Sequence, residues 1–216
     1  MVGLIEWLNS TAVHVAGVEV SWAEVLGDVT GLAAVWWAAR ERVWTWPVGN
    51  LNSALFLVLF VDAKLYANAS LQVVFIALGC YGWWEWVRRH GPDRAPLVVT
   101  RTRPVEWLAM AVAGTAVMAS WTWWLAERTD SPEPLWDSSI LALSLVATYG
   151  QARKRLESWW LWIVVDVISV PLYLRRGLVP TAAVYAVFLG LCVLGLREWR
   201  AAQRDEAASE PAAAIA

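Results

Sequence analysis

Long stretches without a charged side chain divide this sequence into segments that match the thickness of a lipid bilayer. A membrane-spanning helix needs about 20 mostly apolar residues. Four charge-free stretches come close to that length, at residues 43–61, 65–84, 107–126 and 177–196. The hydrophobic pattern therefore predicts an α-helical protein that crosses the membrane several times.

Three weaker segments raise the predicted number of spans to seven. Residues 138–152 are short for a span, but the preceding residues 134–136 can extend them. Residues 158–174 are interrupted only by Asp166. Residues 22–39 contain two carboxylates, and their assignment as the first span depends on the internal repeat.

The chain matches itself without gaps when it is shifted by 113 residues. Under this shift the basic segment 39–42 falls on 152–155, Trp46 falls on Trp159, and Glu85-Trp86 falls on Glu198-Trp199. Such a correspondence indicates an internal duplication. Spans one to three are then repeated as spans five to seven, and span four links two halves that run in the same direction. The predicted fold class is an all-α polytopic membrane protein with a 3+1+3 repeat.

The remaining segments complete the predicted organisation. Residues 89–104 contain three prolines and are expected to form an irregular loop, while residues 201–216 are rich in Ala and Glu and are expected to be disordered. The predicted units are an N-terminal extracytoplasmic segment 1–19, a first three-helix repeat 20–88, a cytoplasmic loop 89–104, a linker helix 105–127, a second three-helix repeat 134–200 and a cytoplasmic tail 201–216.

Composition supports a location in the lipid bilayer. Hydrophobic residues make up 59% of the chain and charged residues only 17%, which is far more apolar than a soluble domain. The 18 tryptophans fit a membrane protein, because indole prefers the membrane–water interface. A net charge of −2 gives no reason to expect nucleic acid as a partner.

Basic residues predict the orientation. With seven spans, 13 of the 17 Lys and Arg side chains fall on one side of the membrane. The other four are Lys64, Arg128, Arg175 and Arg176. Cytoplasmic loops carry the excess of positive charge, so the N-terminus is expected outside and the C-terminus in the cytoplasm.

The sixth span carries the most informative set of side chains. Trp159, Trp162, Asp166, Ser169 and Tyr173 have offsets of 0, 3, 7, 10 and 14, which place them on one helical face. A carboxylate within a span usually faces a cavity, and indole rings attract flat cations. This face fits a flat, cationic, hydroxylated solute. The alternative is that the indoles belong to an interfacial belt and Asp166 pairs with a neighbouring helix.

Spans two and three offer matching polar positions. Trp46, Asn50 and Ser53 share a face of span two, and Gln72 lies on span three. Each of these polar side chains could bind a solute, or could hydrogen-bond between helices. Asn52 points away from Asn50 and is a weaker candidate. Glu24 and Asp28 are four residues apart in span one and are expected at the outer surface.

Enzyme chemistry has little support in this sequence. It contains no nucleophile, metal-ligand or phosphate-loop motif, and the two cysteines lie within apolar stretches. No cofactor and no metal are expected. The pattern favours a solute carrier, and the alternative from another class is a membrane scaffold that transports nothing.

These motifs resemble the Pnu family of bacterial vitamin transporters. The resemblance covers about residues 20–200. It is carried by VWTWPVG at 43–49, YGW at 81–83, ESW at 157–159, Trp162, Asp166 and PLY at 171–173. Within the family, the chain is most similar to the nicotinamide riboside branch.

The resemblance implies a fold similar to that of SWEET sugar transporters, and a homotrimer with one pathway per subunit. It implies facilitated diffusion of nicotinamide riboside, which a cytosolic kinase then traps by phosphorylation for NAD biosynthesis. It also places Trp159, Trp162 and Asp166 in the solute site. Other branches carry thiamine or riboflavin. Riboflavin is neutral and fits the Trp–Trp–Asp face less well, whereas thiamine is a flat cation like nicotinamide riboside.

Overall fold

Helices account for most of the computed structural model, which describes residues 2–15, 17–62, 66–88, 97–129 and 132–213. In chain order the elements are α1 (Val2–Asn9), β1 (Thr11–Val15), β2 (Val18–Ser21), α2 (Trp22–Ala39), α3 (Thr45–Asp62), α4 (Tyr66–Arg88), α5 (Pro104–Arg128), α6 (Pro134–Ala152), α7 (Ser158–Arg175) and α8 (Val179–Ala213). The seven predicted spans correspond to α2 through α8.

Three of the described helices are long and apolar enough to cross a membrane. They are α5, α7 and the part of α8 from Val179 to Glu206. For α2, α3, α4 and α6 the helices are present, and their passage through the bilayer stays a prediction. Three of the basic side chains, Lys64, Arg89 and Arg94, lie outside the described residues.

Local capping explains why α2 begins within a segment that contains carboxylates. Ser21 is the N-cap residue, and its hydroxyl accepts a hydrogen bond from the backbone N–H of Glu24 at 3.2 Å. The Glu24 carboxylate in turn accepts from the backbone N–H of Ser21 at 2.7 Å. This reciprocal capping box satisfies N–H groups that have no partner within the helix. Glu24 therefore marks the start of a helix.

Two segments differ from the prediction. Residues 11–21 form an antiparallel hairpin, so the chain is mostly helical rather than all-α. Its turn contains Gly17 with a φ of 81°, which glycine adopts readily. The predicted disorder of the tail is also wrong, because α8 continues to Ala213. Alanine, glutamate and arginine are good helix formers, and extending an existing helix avoids the cost of nucleation.

The loop 89–104 can be described only in part. Residues 89–96 lie outside the described range, as do residues 214–216 of the tail. Residues 97–103 are not helical, in agreement with the expected irregular loop. Thr100 forms a bridge with Arg155, so this loop lies against the turn between α6 and α7.

Helix bounds and contacts follow the 113-residue shift. Adding 113 to the bounds of α3 gives residues 158–175, which are the bounds of α7, and the start of α4 maps onto the start of α8. Helix α2 packs against α3 and α8, and its counterpart α6 packs against α7 and α4. Helix α5 packs against α6. The two halves are therefore joined through the equivalent pairs α2–α8 and α6–α4.

The bundle has two distinct ends. We call the end that carries β1 and β2 the hairpin end. We call the other the basic end, because residues 40–42 and 153–155 lie there between consecutive helices. Four tryptophans pack near the basic end as two T-shaped pairs. Trp46 and Trp86 have ring centroids 5.5 Å apart, and Trp159 and Trp199 have centroids 5.4 Å apart.

Two of these four indoles also form hydrogen bonds that connect the two halves. Trp86 Nε1 donates to the carbonyl of Ala152 at 3.1 Å, and Trp199 Nε1 donates to the carbonyl of Ala38 at 3.0 Å. Both rings are fully buried. Each half thus places an indole against the end of a helix of the other half, and the basic end is closed by tightly packed side chains.

Candidate functional site

A cavity of about 590 Å³ lies between the two halves, within the range of small-molecule sites. Helices α2, α3, α4, α6, α7 and α8 all contribute to its wall. All eight predicted site residues line it, namely Trp46, Asn50, Ser53, Gln72, Trp159, Trp162, Asp166 and Tyr173. Sequence positions up to 127 residues apart therefore come together around one space.

The floor of the cavity is formed by two equivalent indoles, Trp46 and Trp159. Trp159 is completely buried, and Trp46 is nearly so. Neither Nε1 atom has a hydrogen-bond partner within the part of the chain that the structure describes. Buried donors without a partner are rare in proteins. Both N–H groups are therefore buried donors that the described part of the chain leaves without a hydrogen bond.

Two glycines make room for these indoles. A Cβ atom at Gly195 would lie 2.5 Å from atoms of the Trp159 ring, and a Cβ atom at Gly82 would meet the Trp46 ring in the same way. Gly82 and Gly195 are also related by the 113-residue shift. The glycines let each indole lie directly against the backbone of α4 or α8.

Trp162 forms part of the wall, and a hydrogen bond fixes its ring. Its Nε1 donates to Oε1 of Gln151 at 2.9 Å. Gln151 was not among the site residues predicted from the sequence. A signal was present, because Ser144, Thr148 and Gln151 have helical spacing on one face of α6, and all three line the cavity.

Asp166 brings a buried carboxylate to the cavity. Only 3% of the residue is exposed, and its Oδ2 has no hydrogen-bond partner among the described residues. The thiol of Cys192 hydrogen-bonds to the same carboxylate. The equivalent position in the first half is Ser53, and the position equivalent to Trp162 is Gly49. Of the two equivalent helices α3 and α7, only α7 therefore contributes a carboxylate and an additional indole at these positions.

The remaining predicted side chains lie along the wall. The Asn50 side chain amide donates weakly to Sγ of Cys80 at 3.4 Å. Asn52 donates to the carbonyl of Gly27 at 2.5 Å, which gives this side chain a role in joining α3 to α2. The Tyr173 ring packs against the Tyr185 ring in a tilted arrangement with a centroid distance of 5.0 Å, and the two side chains hydrogen-bond to each other.

The expected surface position of Glu24 and Asp28 is wrong. Both line the hairpin end of the cavity and are partly buried. The sequence could not separate a cavity wall from an exposed helix face, because both present carboxylates at helical spacing. Exposed residues Glu19 and Leu178 line the same end, so the cavity opens toward the hairpin end.

The cavity is electronegative. Glu19, Glu24, Asp28 and Asp166 line it, and none of its lining residues within the described ranges is Lys, Arg or His. Fields in a cleft with low-dielectric walls are focused rather than screened. Such a cavity attracts cations and repels anions.

Comparison with known proteins identifies the family. Residues 21–201 match the family model described as nicotinamide mononucleotide transporter. The chain belongs to this family. The match covers both halves and the linker helix α5, so all residues that line the cavity except Glu19 and Val20 lie within the family region.

Two curated relatives are transporters of different vitamins. The chain is 31% identical to the riboflavin/roseoflavin transporter RibM of Streptomyces davaonensis, over 90% of this chain and 92% of that protein. It is 29% identical to the nicotinamide riboside transporter PnuC of Escherichia coli, over 88% and 89% of the two chains. Family and relatives make this protein a PnuC-like vitamin transporter and not an enzyme or a scaffold.

A solved structure supports the fold. The crystal structure of the vitamin B3 transporter PnuC superposes with a TM-score of 0.67 at 21% identity, covering 85% of this chain and 83% of that one. The family and the apolar helices indicate a multi-pass protein of the bacterial cytoplasmic membrane. In such a transporter the cavity between the two halves is the candidate site for the solute.

Proposed function

We propose that this protein carries nicotinamide riboside across the membrane by facilitated diffusion through the cavity. The observation that supports this most directly is the placement of Trp159 and Trp162 beside the unpaired carboxylate oxygen of Asp166. Nicotinamide riboside has a flat pyridinium ring, which can stack on an indole and whose positive charge a carboxylate stabilises.

The polar side chains of the wall suit the rest of this solute. Asn50 and Gln72 each bring a donor and an acceptor to the cavity, and Ser53 brings a hydroxyl. We propose that these groups and Tyr173 hydrogen-bond to the ribose hydroxyls or the carboxamide.

The acidic lining gives a reason for trapping the solute by phosphorylation. A phosphorylated riboside carries negative charge, and four carboxylates around the cavity repel it. We propose that a cytosolic kinase phosphorylates the solute after entry, which prevents its return and supplies NAD biosynthesis. The same charge argument disfavours nicotinamide mononucleotide, the molecule in the family description, as the transported species.

Riboflavin is the second candidate, and the 31% identity to RibM favours it. Riboflavin could stack on the same indoles, but it is neutral and gains less from the carboxylates. Thiamine is a further alternative. It is also a flat cation, so the acidic lining of the cavity would attract it as well.

The topology completes the proposal. We propose that α2 to α8 cross the membrane as seven helices in a SWEET-like 3+1+3 arrangement, with the hairpin end outside and the basic end in the cytoplasm. We also propose the unit boundaries predicted from the sequence. These are an extracytoplasmic segment 1–19, two three-helix repeats at 20–88 and 134–200, a cytoplasmic loop 89–104, a linker helix 105–127 and a cytoplasmic tail 201–216. Asp166 is eight residues along the 18-residue helix α7, so the site lies near the middle of the bilayer.

Helix α5 offers a surface for the proposed homotrimer. It packs mainly against α6, and its other apolar side chains face outward, with Val105 77% and Leu108 66% exposed. Such a face contacts lipid or another copy of the protein. We propose three subunits with one pathway each, which crosslinking of the purified protein would test.

A competition assay in proteoliposomes tests the choice of solute. Uptake of labelled nicotinamide riboside is measured with excess unlabelled nicotinamide riboside, thiamine or riboflavin. We expect only nicotinamide riboside to block uptake effectively, and we expect Asp166→Asn to weaken that block. Block by riboflavin or thiamine, without block by nicotinamide riboside, would overturn the proposal.

A further inference from the structure

We propose that the cavity contains a second binding subsite, at its hairpin end, where Asp28, Phe56 and Phe188 hold a flat organic cation before it reaches the tryptophans. This inference rests on the proposed transport of a cation and adds an entry site to it. We call this group the entry subsite and the region around Trp159, Trp162 and Asp166 the tryptophan site.

Two phenyl rings pack against α2 on either side of Asp28. A Cβ atom at Gly27 would lie 2.7 Å from the Phe56 ring, and one at Gly31 would lie 3.1 Å from Cζ of Phe188. Gly27 precedes Asp28 directly, and Gly31 follows it by one turn of helix. Both rings and the carboxylate line the cavity, so they form a partly aromatic wall with one negative charge.

Among the described residues, Asp28 has no partner that balances its charge. None of the hydrogen bonds and ion pairs of the described residues involves its carboxylate, and the nearest interacting charge is another carboxylate, that of Glu24. Glu24 is already engaged, because its Oε2 accepts from both the backbone N–H and the hydroxyl of Ser21 at 2.7 and 2.9 Å. A partly buried carboxylate without a cation favours one that arrives as a ligand.

The entry subsite is separate from the tryptophan site. Phe56 lies ten residues beyond Trp46 on α3, which corresponds to about 15 Å along the helix axis. Tyr185 also lines the cavity and is within electrostatic reach of both Asp28 and Asp166. Both carboxylates line this one cavity, and a cation that enters at the hairpin end meets Asp28 first.

The chemistry of the entry subsite recognises the charged ring rather than the sugar. Phenyl faces attract a delocalised cation, and Asp28 adds a direct charge interaction. Asp28, Phe56 and Phe188 carry no amide or indole donor, and the amide of the neighbouring Asn52 already donates to the carbonyl of Gly27. It should thus take a pyridinium cation that has no ribose, such as 1-methylnicotinamide, and should reject neutral nicotinamide.

Binding of 1-methylnicotinamide to purified full-length protein tests this subsite. The background is Trp162→Ala, which weakens the tryptophan site, and binding is compared with and without Asp28→Asn. We expect the added Asp28→Asn change to reduce affinity about five- to thirtyfold, the range for an interaction of about 1–2 kcal/mol. Asp28→Glu, which keeps the charge, should retain most of the binding, and Phe56→Leu should weaken it.

Glu127→Gln is the matched control. It removes one carboxylate from the exposed end of α5 at the hairpin end, outside the cavity, and should leave binding unchanged. Equal binding of 1-methylnicotinamide with and without Asp28→Asn would overturn the entry subsite. If instead the wild-type protein neither binds nor carries nicotinamide riboside, the proposed function fails. A subsite that still binds 1-methylnicotinamide in an Asp28-dependent way would survive that result.

Discussion

Nζ of Lys154 lies 2.6 Å from Oε2 of Glu41, although the two residues are equivalent positions of the two halves, 113 residues apart. Both residues have positive φ, at 53° for Glu41 and 49° for Lys154, so the turn after the first helix of each half has the same unusual backbone. The two turns meet at the basic end, and opposite charges at equivalent positions hold them together.

We expect exchange of these two charges to reveal their coupling. The Lys154 side chain is 7% exposed, and its ammonium also lies 4.9 Å from the centroid of the Trp86 ring. Glu41→Lys places two cations together, so it should lower the unfolding temperature of the purified protein. Glu41→Lys with Lys154→Glu should recover part of the loss, with a coupling energy of about 0.5–3 kcal/mol in a double-mutant cycle.

The outcome of this cycle separates a specific contact from a general charge effect. Arg40→Glu changes charge in the same turn, but Arg40 contacts the exposed Trp36 ring rather than the other half. It should show no coupling to Lys154→Glu. Additive effects for Glu41 and Lys154 would contradict the idea that their ion pair joins the halves.

Much of the helical framework was predictable because it follows from local composition. Charge-free stretches located α3, α4, α5 and α8, and the internal repeat supported residues 22–39 as the first span, which are the bounds of α2. Helical spacing also brought Trp159, Trp162 and Asp166 onto one face, and the structure places them around one cavity. Apart from the first span, these features depend only on residues within one helix.

Features that depend on contact between distant helices were not predictable. The shift aligned Gly82 with Gly195, but only packing reveals that each lies against an indole. Gln151 was overlooked because its importance comes from the hydrogen bond to Trp162. Asp28 was placed at the surface because a carboxylate on α2 looks the same in sequence whether it faces water or an enclosed cavity.

Trp162 should provide a large part of the binding energy. Stacking of a flat ring on an aromatic side chain contributes about 1–3 kcal/mol in single-stranded nucleic acid complexes. By this analogy, Trp162→Ala should weaken binding of nicotinamide riboside about five- to a hundredfold, measured by calorimetry. Trp162→Phe should retain much of the affinity, since a smaller ring remains. Wild-type affinity in a correctly folded Trp162→Ala protein would make Trp162 only an interfacial anchor.

Gly195→Ala should disturb the cavity floor by displacing the Trp159 ring. The added methyl group would lie 2.5 Å from ring atoms, and such overpacking costs about 1–3 kcal/mol. We expect a lower unfolding temperature and weaker solute binding. Gly190→Ala on the same helix is the control, because a Cβ atom there meets nothing within 4 Å. Combining Gly195→Ala with Trp159→Phe should restore stability without restoring affinity, and failure of that rescue would argue against a ring clash.

Transport should need no proton gradient. Asp166 is the obvious carboxylate for a proton relay, but its protein partner is the thiol of Cys192, a weak hydrogen-bonding group. Toward the basic end the floor consists of the packed indoles of Trp46 and Trp159, which cannot accept a proton from it. Asp166 is therefore expected to act as a ligand for the cationic ring rather than as a carrier of protons.

Kinase-free proteoliposomes give the clearest measurement of this expectation. Labelled nicotinamide riboside should enter until the inside and outside concentrations are equal, and a protonophore should change neither the initial rate nor the final level. Whole cells are a poor substitute, because loss of energy also stops phosphorylation of the solute. Accumulation above the outside concentration in liposomes with an imposed proton gradient, and its collapse on adding the protonophore, would identify a coupled carrier. Asp166→Asn would then be expected to abolish accumulation while leaving exchange of solute intact, whereas a ligand role predicts weaker binding and no accumulation in either protein.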